Sequence, residues 1–184
     1  MNSLTFSPFP VLSTPRLTLR QLSFDDENEI FAIRSNEEIA KYIDRPLYTN
    51  RIETRNFINK INSSIDKNES VYWAVTFKED SKLIGTICLW NFSEDKFTAE
   101  VGFELLPGYQ GKGIMSEALE SVINYGFNTI KLKSIEGEVD PNNEKSINLM
   151  KRYGFKLIES IRETDSDDVK NSRTVIYELI SNPR

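Results

Sequence analysis

The chain reads Leu105-Leu106-Pro107-Gly108-Tyr109-Gln110-Gly111-Lys112-Gly113-Ile114-Met115 between a β-like run and an amphipathic helical run. Glycines let the backbone turn tightly and approach a ligand closely, and the first N–H groups of the following helix have no partners within the helix. Those amides carry the positive end of the helix dipole, and Lys112 adds a cation. The stretch therefore predicts a pyrophosphate cradle, although a plain glycine-rich turn has the same composition.

Two common phosphate-binding motifs do not fit this stretch. A P-loop requires glycine five residues before Gly111, where Leu106 stands, and it requires Ser or Thr after Lys112. A dinucleotide fingerprint requires a third glycine where Ser116 stands, and its preceding strand is parallel, whereas the runs before the loop read as antiparallel. The predicted cradle therefore belongs to neither class.

Strand-like and helix-like runs alternate along the rest of the chain, by their apolar periodicity of two or of three to four residues. The predicted strands are 17–22, 71–78, 83–92, 97–106, 133–139, 155–162 and 173–180, and the predicted helices are 23–33, 50–65, 114–127 and 143–153. We expect a capping box from Ser23 to Asp26 and a cap at Thr49 or Asn50. Tight turns join the three middle strands, which predicts an antiparallel meander. The result is one α/β (α+β) domain with a mixed sheet.

The composition excludes several kinds of active site. The 184 residues contain no histidine and a single cysteine, Cys88. A Ser-His-Asp relay, a Cys-His pair, a His-ligated metal, a Cys-rich zinc site and a disulfide framework are therefore excluded. Cys88 lies in an alternating apolar run and has no histidine to activate it, so we expect an unreactive core thiol.

The charge balance and the N-terminal sequence restrict the partners. The chain has 23 basic and 28 acidic residues, a net charge of −5, so its field repels phosphate polymers and nucleic acid is not an expected partner. The N-terminus lacks a basic flank followed by a long apolar run, and no window of 18 apolar residues occurs. We therefore expect a soluble, cytoplasmic protein with no membrane partner.

Several matches along the chain resemble one superfamily of acetyltransferases. Gln110 and Gly113 fit the pattern Gln/Arg-x-x-Gly-x-Gly/Ala, the cofactor loop of the GNAT superfamily, with Met115 in the last position. Residues 14–20, 99–103 and 143–155 resemble the RimJ/RimL-type subgroup, which acetylates the N-termini of ribosomal proteins. The resemblance covers about residues 12–180 and implies that residues 1–184 form a single N-acetyltransferase domain.

The resemblance implies a fold, a co-substrate and a binding site. The fold is a mixed, mainly antiparallel central sheet with helices on both faces, splayed where acetyl-CoA enters between strands 97–106 and 133–139. No metal is expected. The implied cofactor-binding residues are Glu104, Leu105 and Leu106 along the pantetheine arm, Gln110, Gly111, Lys112, Gly113, Ile114, Met115 and Ser116 around the pyrophosphate, and Asn143 at the thioester end.

The resemblance also suggests groups for direct attack of an amine on the thioester. Glu138 is the first candidate for the base that removes the amine proton, Glu100 is the second, and Glu104 is a third if the strand alternation is unbroken. Many relatives protonate the thiolate with a tyrosine where this chain has Met150. The hydroxyl of Ser146 is therefore the candidate acid, although a helix N-terminal serine has an ordinary structural role too.

The acceptor is predicted to be a primary amine, with a protein N-terminus favoured. A neutral α-amine costs only ~1 kcal/mol at pH 7, whereas a neutral lysine costs ~4.6 kcal/mol. The alternatives are a polyamine or aminoglycoside-like amine, and a non-catalytic acyl-CoA-binding module, which Met115 and Met150 would favour. Segments 36–50 and 163–172 are expected to line the acceptor site, and a homodimer is one expected state.

Overall fold

A computed structural model describes residues 4–43, 45–95, 97–162 and 174–181. The strands are β1 (Leu12–Ser13), β2 (Leu17–Gln21), β3 (Val71–Phe77), β4 (Asp80–Trp90), β5 (Thr98–Leu105), β6 (Ser134–Val139), β7 (Lys156–Arg162) and β8 (Thr174–Ile180). The α-helices are α1 (Glu27–Arg34), α2 (Glu37–Ala40), α3 (Arg51–Asp66), α4 (Ile114–Tyr125) and α5 (Glu144–Arg152).

The strands form one sheet of eight, in the order β1-β2-β3-β4-β5-β6-β8-β7. Every neighbouring pair is antiparallel except β5 and β6, which run parallel. Their pairing begins at Thr98 with Ser134 and ends at Glu100 with Glu136, although β5 continues to Leu105. The two strands therefore separate beyond Glu100, which confirms the mainly antiparallel, splayed sheet.

Helices cover both faces of this sheet because successive side chains of a strand point to opposite sides. The ring of Tyr72 meets Phe57 of α3 edge-on on one face, with centroids 5.8 Å apart. The next residue, Trp73, meets Tyr125 of α4 edge-on on the other face, at 5.6 Å. The predicted two-sided arrangement is confirmed.

The helix starts follow the side-chain signals in the sequence. The Ser23–Asp26 capping box forms, but a 3₁₀ turn over Phe24–Asp26 comes first and α1 begins only at Glu27. Asn50, not Thr49, caps α3 and forms a capping box with Glu53. Short elements such as β1 and α2 escape prediction because two to four residues carry no measurable periodicity.

Candidate active site

The gap between β5 and β6 opens into a cavity of about 330 Å³. One face of the sheet supplies its floor through Tyr72, Thr86, Cys88, Glu100, Gly102 and Glu104. Its walls come from α1 and the segment after α2, through Arg34, Tyr42 and Ile43, and from β6 and α5, through Gly137, Glu138, Asn143, Ser146 and Met150. The predicted catalytic candidates Glu138, Glu100 and Ser146 therefore all line one cavity.

The loop that ends at α4 has the backbone of an anion cradle. Gly111 and Gly113 both have φ of +73°. This is the left-handed region of the backbone, which glycine adopts readily and residues with a side chain adopt only under strain. Gly113 is the N-cap of α4. A Cβ at Gly108 or Gly111 would have no heavy atom within 4 Å, and at Gly113 only Arg16 Nη2 comes as near as 3.5 Å. Open space thus faces the first amides of α4, as a diphosphate would require.

The predicted side-chain ligands of the loop are largely engaged within the protein. Gln110 donates from Nε2 to the carbonyl of Leu105 at 3.1 Å and accepts from Lys145 Nζ at 3.3 Å. Lys112 Nζ donates to the carbonyl of Gly108 at 2.8 Å. Gln110 therefore fixes the loop to β5, and the cradle depends mainly on backbone amides.

A hydrogen-bond pair joins the start of α4 to the end of α5. Tyr153 donates its hydroxyl hydrogen to the backbone carbonyl of Ser116 at 2.6 Å, and the two hydroxyls lie 2.9 Å apart. Because Tyr153 has only one hydroxyl hydrogen, Ser116 must be the donor in the second contact. Ser116 can therefore offer a phosphate its amide but not its hydroxyl hydrogen, and Tyr153 connects the two helices.

The backbone N–H and C=O groups of β5 that face the gap do not all belong to the residues 104–106 that were expected to pair with the pantetheine arm. Leu106 N–H donates to the carbonyl of Ile84 at 3.0 Å, so Leu106 bonds toward β4. Antiparallel pairing alternates, so Glu104 also bonds toward β4, while Phe103 and Leu105 face the gap. The backbone groups of Glu104 and Leu106 are therefore turned to β4, unlike the expectation, and those that face the gap belong to Phe103 and Leu105.

Glu104 is not a free carboxylate. Arg45 Nη2 donates to its Oε1 at 2.7 Å, and Arg34 Nη1 lies 3.7 Å from its Oε2. The guanidinium of Arg34 stacks over the ring of Phe57, 4.6 Å from its centroid. Both carboxylate oxygens of Glu104 therefore face an arginine and are engaged within the protein.

Glu100 and Glu138 lie on the same face of the sheet, near the point where β5 and β6 begin to separate. Glu100 pairs in register with Glu136, and Glu138 follows two residues later, so their side chains share one face. Glu138 is exposed and accepts a hydrogen bond from Thr174 Oγ1 at 2.5 Å. Glu100 accepts one from Asn91 Nδ2 at 3.2 Å.

The N-terminal turn of α5 brings Asn143 and Ser146 to the cavity. Asn143 caps the helix by accepting from the Ser146 N–H at 3.2 Å. The cap uses only the carbonyl oxygen of the amide, so its NH₂ group can still donate to a pantetheine carbonyl. In the part of the chain that the structure describes, the Ser146 hydroxyl makes no side-chain hydrogen bond.

Met150, the residue at the tyrosine position of relatives, occupies space left by a glycine. A Cβ on Gly137 would collide with the sulfur of Met150, which is 2% exposed. The side chain therefore packs into the sheet at the cavity wall. It has no proton to donate, which leaves Ser146 as the hydroxyl that α5 presents to the cavity.

Cys88 packs against the core and also lines the cavity. Burial raises the pKa of its thiol to about 12, with Glu104 and Glu100 adding to the shift against a hydrogen bond to the Gly102 carbonyl. Burial likewise raises the pKa of the neighbouring Tyr72. Both groups stay protonated at neutral pH, so Cys88 is no nucleophile there.

Three residues at or beside the cavity could not be predicted from the sequence: Arg34, Arg45 and Tyr72. Glu104 and Arg45 lie 59 positions apart, and neither belongs to a local motif. Of the two segments expected to line the acceptor site, 36–50 contributes Tyr42 and Ile43 to the cavity. Segment 163–172 lies outside the described residues.

Residues 16–156 match the family described as the acetyltransferase (GNAT) domain. The chain therefore belongs to the GNAT acetyltransferases, and it is an N-acetyltransferase, as its relatives are. The uncharacterized N-acetyltransferase p20 of Bacillus licheniformis is 32% identical over 152 residues, which are 83% of this chain and 85% of p20. The family predicted from the loop and its flanking motifs is confirmed.

Two solved structures share the fold. RimL, a ribosomal-protein α-N-acetyltransferase in complex with coenzyme A, superposes with a TM-score of 0.81 at 16% identity, covering 93% of this chain and 98% of RimL. Spermidine N-acetyltransferase from Vibrio cholerae, in complex with CoA and spermine, has a TM-score of 0.77 at 24% identity, covering 89% and 95%. Both neighbours were solved with the coenzyme that the cradle of this chain is predicted to bind.

The described residues contain neither a membrane-spanning helix nor a cluster of metal-ligating side chains. None of the helices there is both long and apolar enough to cross a membrane. Nor do the described residues contain a group of three or more Cys, Asp or Glu side chains suited to a metal ion.

Proposed function

We propose that this protein transfers the acetyl group of acetyl-CoA directly to an α-amine at the N-terminus of a protein, as RimJ/RimL-type enzymes do. The observation that carries the proposal is the splayed gap between β5 and β6, with an open anion cradle at one end and Glu100 and Glu138 lining the cavity at the other. The thioester would lie between them, beside Ser146.

The residues around the gap would divide the binding. The amides at the start of α4 hold the diphosphate, and the backbone of Phe103 and Leu105 pairs with the pantetheine arm as an added strand does. The NH₂ group of Asn143 bonds a carbonyl near the thioester. This arrangement follows the open edge of β5 into the cavity.

The transfer needs two proton movements. The amine nitrogen forms a bond to the thioester carbon while the carbon–sulfur bond breaks, so no acyl-enzyme forms. Glu138, or Glu100 in its place, takes the amine proton through water, and Ser146 gives a proton to the departing thiolate. A backbone N–H of β5 at the gap, from Phe103 or Leu105, is placed to donate to the developing oxyanion.

The carboxylates of the cavity favour an α-amine. Glu104 is held by Arg45 and Arg34, so proton removal depends on Glu138 and Glu100, near the point where β5 and β6 begin to separate. An α-amine needs only ~1 kcal/mol to present its neutral form at pH 7, against ~4.6 kcal/mol for a lysine. A site with modest means of proton removal therefore suits the weaker base.

A polyamine is the second candidate acceptor. The side chain of Trp90 is 47% exposed and lines the cavity beside Glu100 and Glu138. Carboxylates and an aromatic face bind alkylammonium groups well. The relatives with curated names include a spermidine acetyltransferase of Escherichia coli, 25% identical over 145 residues.

Release of free CoA from acetyl-CoA tests the proposal. The acceptors are a peptide that begins with serine, the same peptide with a blocked N-terminus and an internal lysine, spermidine, and an aminoglycoside. We expect release with the free peptide and none with the blocked one. Faster release with spermidine would move the assignment to the second candidate. Calorimetric binding of acetyl-CoA without turnover on any amine would instead indicate a non-catalytic binding module.

A further inference from the structure

Two residues outside the cavity hold the first turn of α4. Thr14 Oγ1 and the backbone N–H of Arg16 donate to Oε1 of Glu117, at 2.5 and 2.8 Å. The Nε–H of Arg16 donates to Oε2 of the same carboxylate at 2.6 Å. Both oxygens of Glu117 are therefore held by a segment 101 residues earlier in the chain.

The same arginine also reaches the cradle loop. Arg16 Nη1 donates to the carbonyl oxygen of Lys112 at 3.1 Å, and its Nη2 lies 3.5 Å from the point where a Cβ of Gly113 would be. Lys112 stands between the two left-handed glycines, so this contact fixes the turn that aims the amides of α4. The side chain of Arg16 is 48% exposed and keeps access to solvent beside the loop.

Glu117 by itself would oppose a bound diphosphate. Its carboxylate belongs to the first turn of α4, the turn whose free amides form the cradle. Partial burial would raise the pKa of Glu117, but hydrogen bonds from Thr14 and Arg16 outweigh it and the pKa is lowered. The group is therefore ionised at neutral pH, and a like charge at the same helix end repels a second anion.

We propose that Arg16, anchored by Glu117, is a positioning residue for the diphosphate of CoA: it fixes the Lys112 carbonyl and cancels the charge of Glu117 beside the cradle. The inference rests on the proposed function, because it requires acetyl-CoA in the gap. It also gives a physical role to the run Thr14-Pro15-Arg16, which the sequence resemblance marks without explaining.

The test compares acetyl-CoA with S-acetylpantetheine, which has the thioester and the pantetheine arm but no diphosphate. In Arg16→Met we expect the Kd and KM for acetyl-CoA to rise about tenfold, as for loss of one charge-assisted contact, while kcat stays within about twofold. The kcat/KM for S-acetylpantetheine should not change. Arg16→Lys keeps the positive charge but lacks the planar guanidinium, so its Kd for acetyl-CoA should lie between those of the wild type and Arg16→Met.

Two further variants separate positioning from folding. Arg16→Met combined with Glu117→Gln removes the repelling charge as well and should recover at least about threefold in Kd. Arg55→Met, which breaks an exposed pair with Glu27, should leave both substrates unaffected. Two results for Arg16→Met would contradict the role of Arg16 and leave the proposed function intact. One is an equal loss of kcat/KM with acetyl-CoA and with S-acetylpantetheine, and the other is an unchanged Kd for acetyl-CoA. A wild-type protein that binds no acetyl-CoA would overturn the proposed function together with the role of Arg16.

Discussion

Arg45 Nη2 lies 2.7 Å from Oε1 of Glu104, and the two side chains are only 8% and 11% exposed. Arg45 also donates from Nη1 to the carbonyl of Arg34 at 2.8 Å, at the last residue of α1. One guanidinium therefore connects the end of α1 to strand β5 at the wall of the cavity. This contact fixes the cavity wall formed by α1 relative to strand β5.

Arg45→Met should destabilise the fold strongly. The substitution leaves Glu104, whose side chain is 11% exposed, with only Arg34 at 3.7 Å, and removing one partner of a buried ion pair costs about 3–5 kcal/mol. Urea unfolding followed by circular dichroism measures the loss of unfolding free energy. Combining Arg45→Met with Glu104→Gln should return most of it, because the stranded charge is gone.

The matched control is Arg55→Met, whose pair with Glu27 has a similar distance of 2.9 Å but an arginine that is 57% exposed. Exposed pairs contribute about 0–1 kcal/mol. A loss below about 1 kcal/mol in Arg45→Met, similar to the control, would contradict a structural role for the buried pair.

Local signals in the sequence explain most of the fold. Period-two runs predict the meander, and the Asn50 and Ser23 caps form because their side chains satisfy amides within four residues. Helix α4 shows the limit of such signals. It ends at Tyr125 and the chain continues as a π-helical turn over Gly126–Ile130, a change that apolar periodicity does not register.

The site is less predictable because its contacts join distant residues. Gly111 and Gly113 could be found from composition, since their backbone requires glycine. Which backbone groups of β5 face the gap depends on how it registers with β4, and Phe103 was missed for that reason. No spacing rule connects Arg45 with Glu104.

Cys88 should resist alkylation in the native protein. With the pKa of its thiol raised to about 12, against 9.0 for an unperturbed thiol, the native thiolate fraction at pH 8 is lower by about 10³. Mass spectrometry after iodoacetamide treatment should show native alkylation slower by about that factor than in guanidinium chloride. The native rate should rise about tenfold per pH unit until the fold is lost, since the thiolate fraction rises with pH. Equal rates in the two states would contradict the raised pKa of the thiol.

Glu138→Gln and Glu100→Gln should differ in their effect on turnover. If Glu138 takes the amine proton, Glu138→Gln should lower kcat about 10²-fold, because glutamine cannot accept a proton. Glu100→Gln should then lower kcat by less than about tenfold. Acetyl-CoA binding, measured by calorimetry, serves as the control and should be unchanged in both. The reverse order of effects would assign the base to Glu100.

Ser146→Ala should separate catalysis from helix capping. The Asn143 side chain accepts from the backbone N–H of residue 146, which alanine retains, so the cap and the stability of α5 should survive the substitution. Removing the hydroxyl from the cavity removes the proposed proton donor, so kcat should fall about 10²-fold while the Kd for acetyl-CoA stays nearly constant. The loss should shrink with an acetyl thioester of a more acidic thiol, because that leaving group needs less help from an acid. A kcat equal to that of the wild type would leave the serine with a purely structural role.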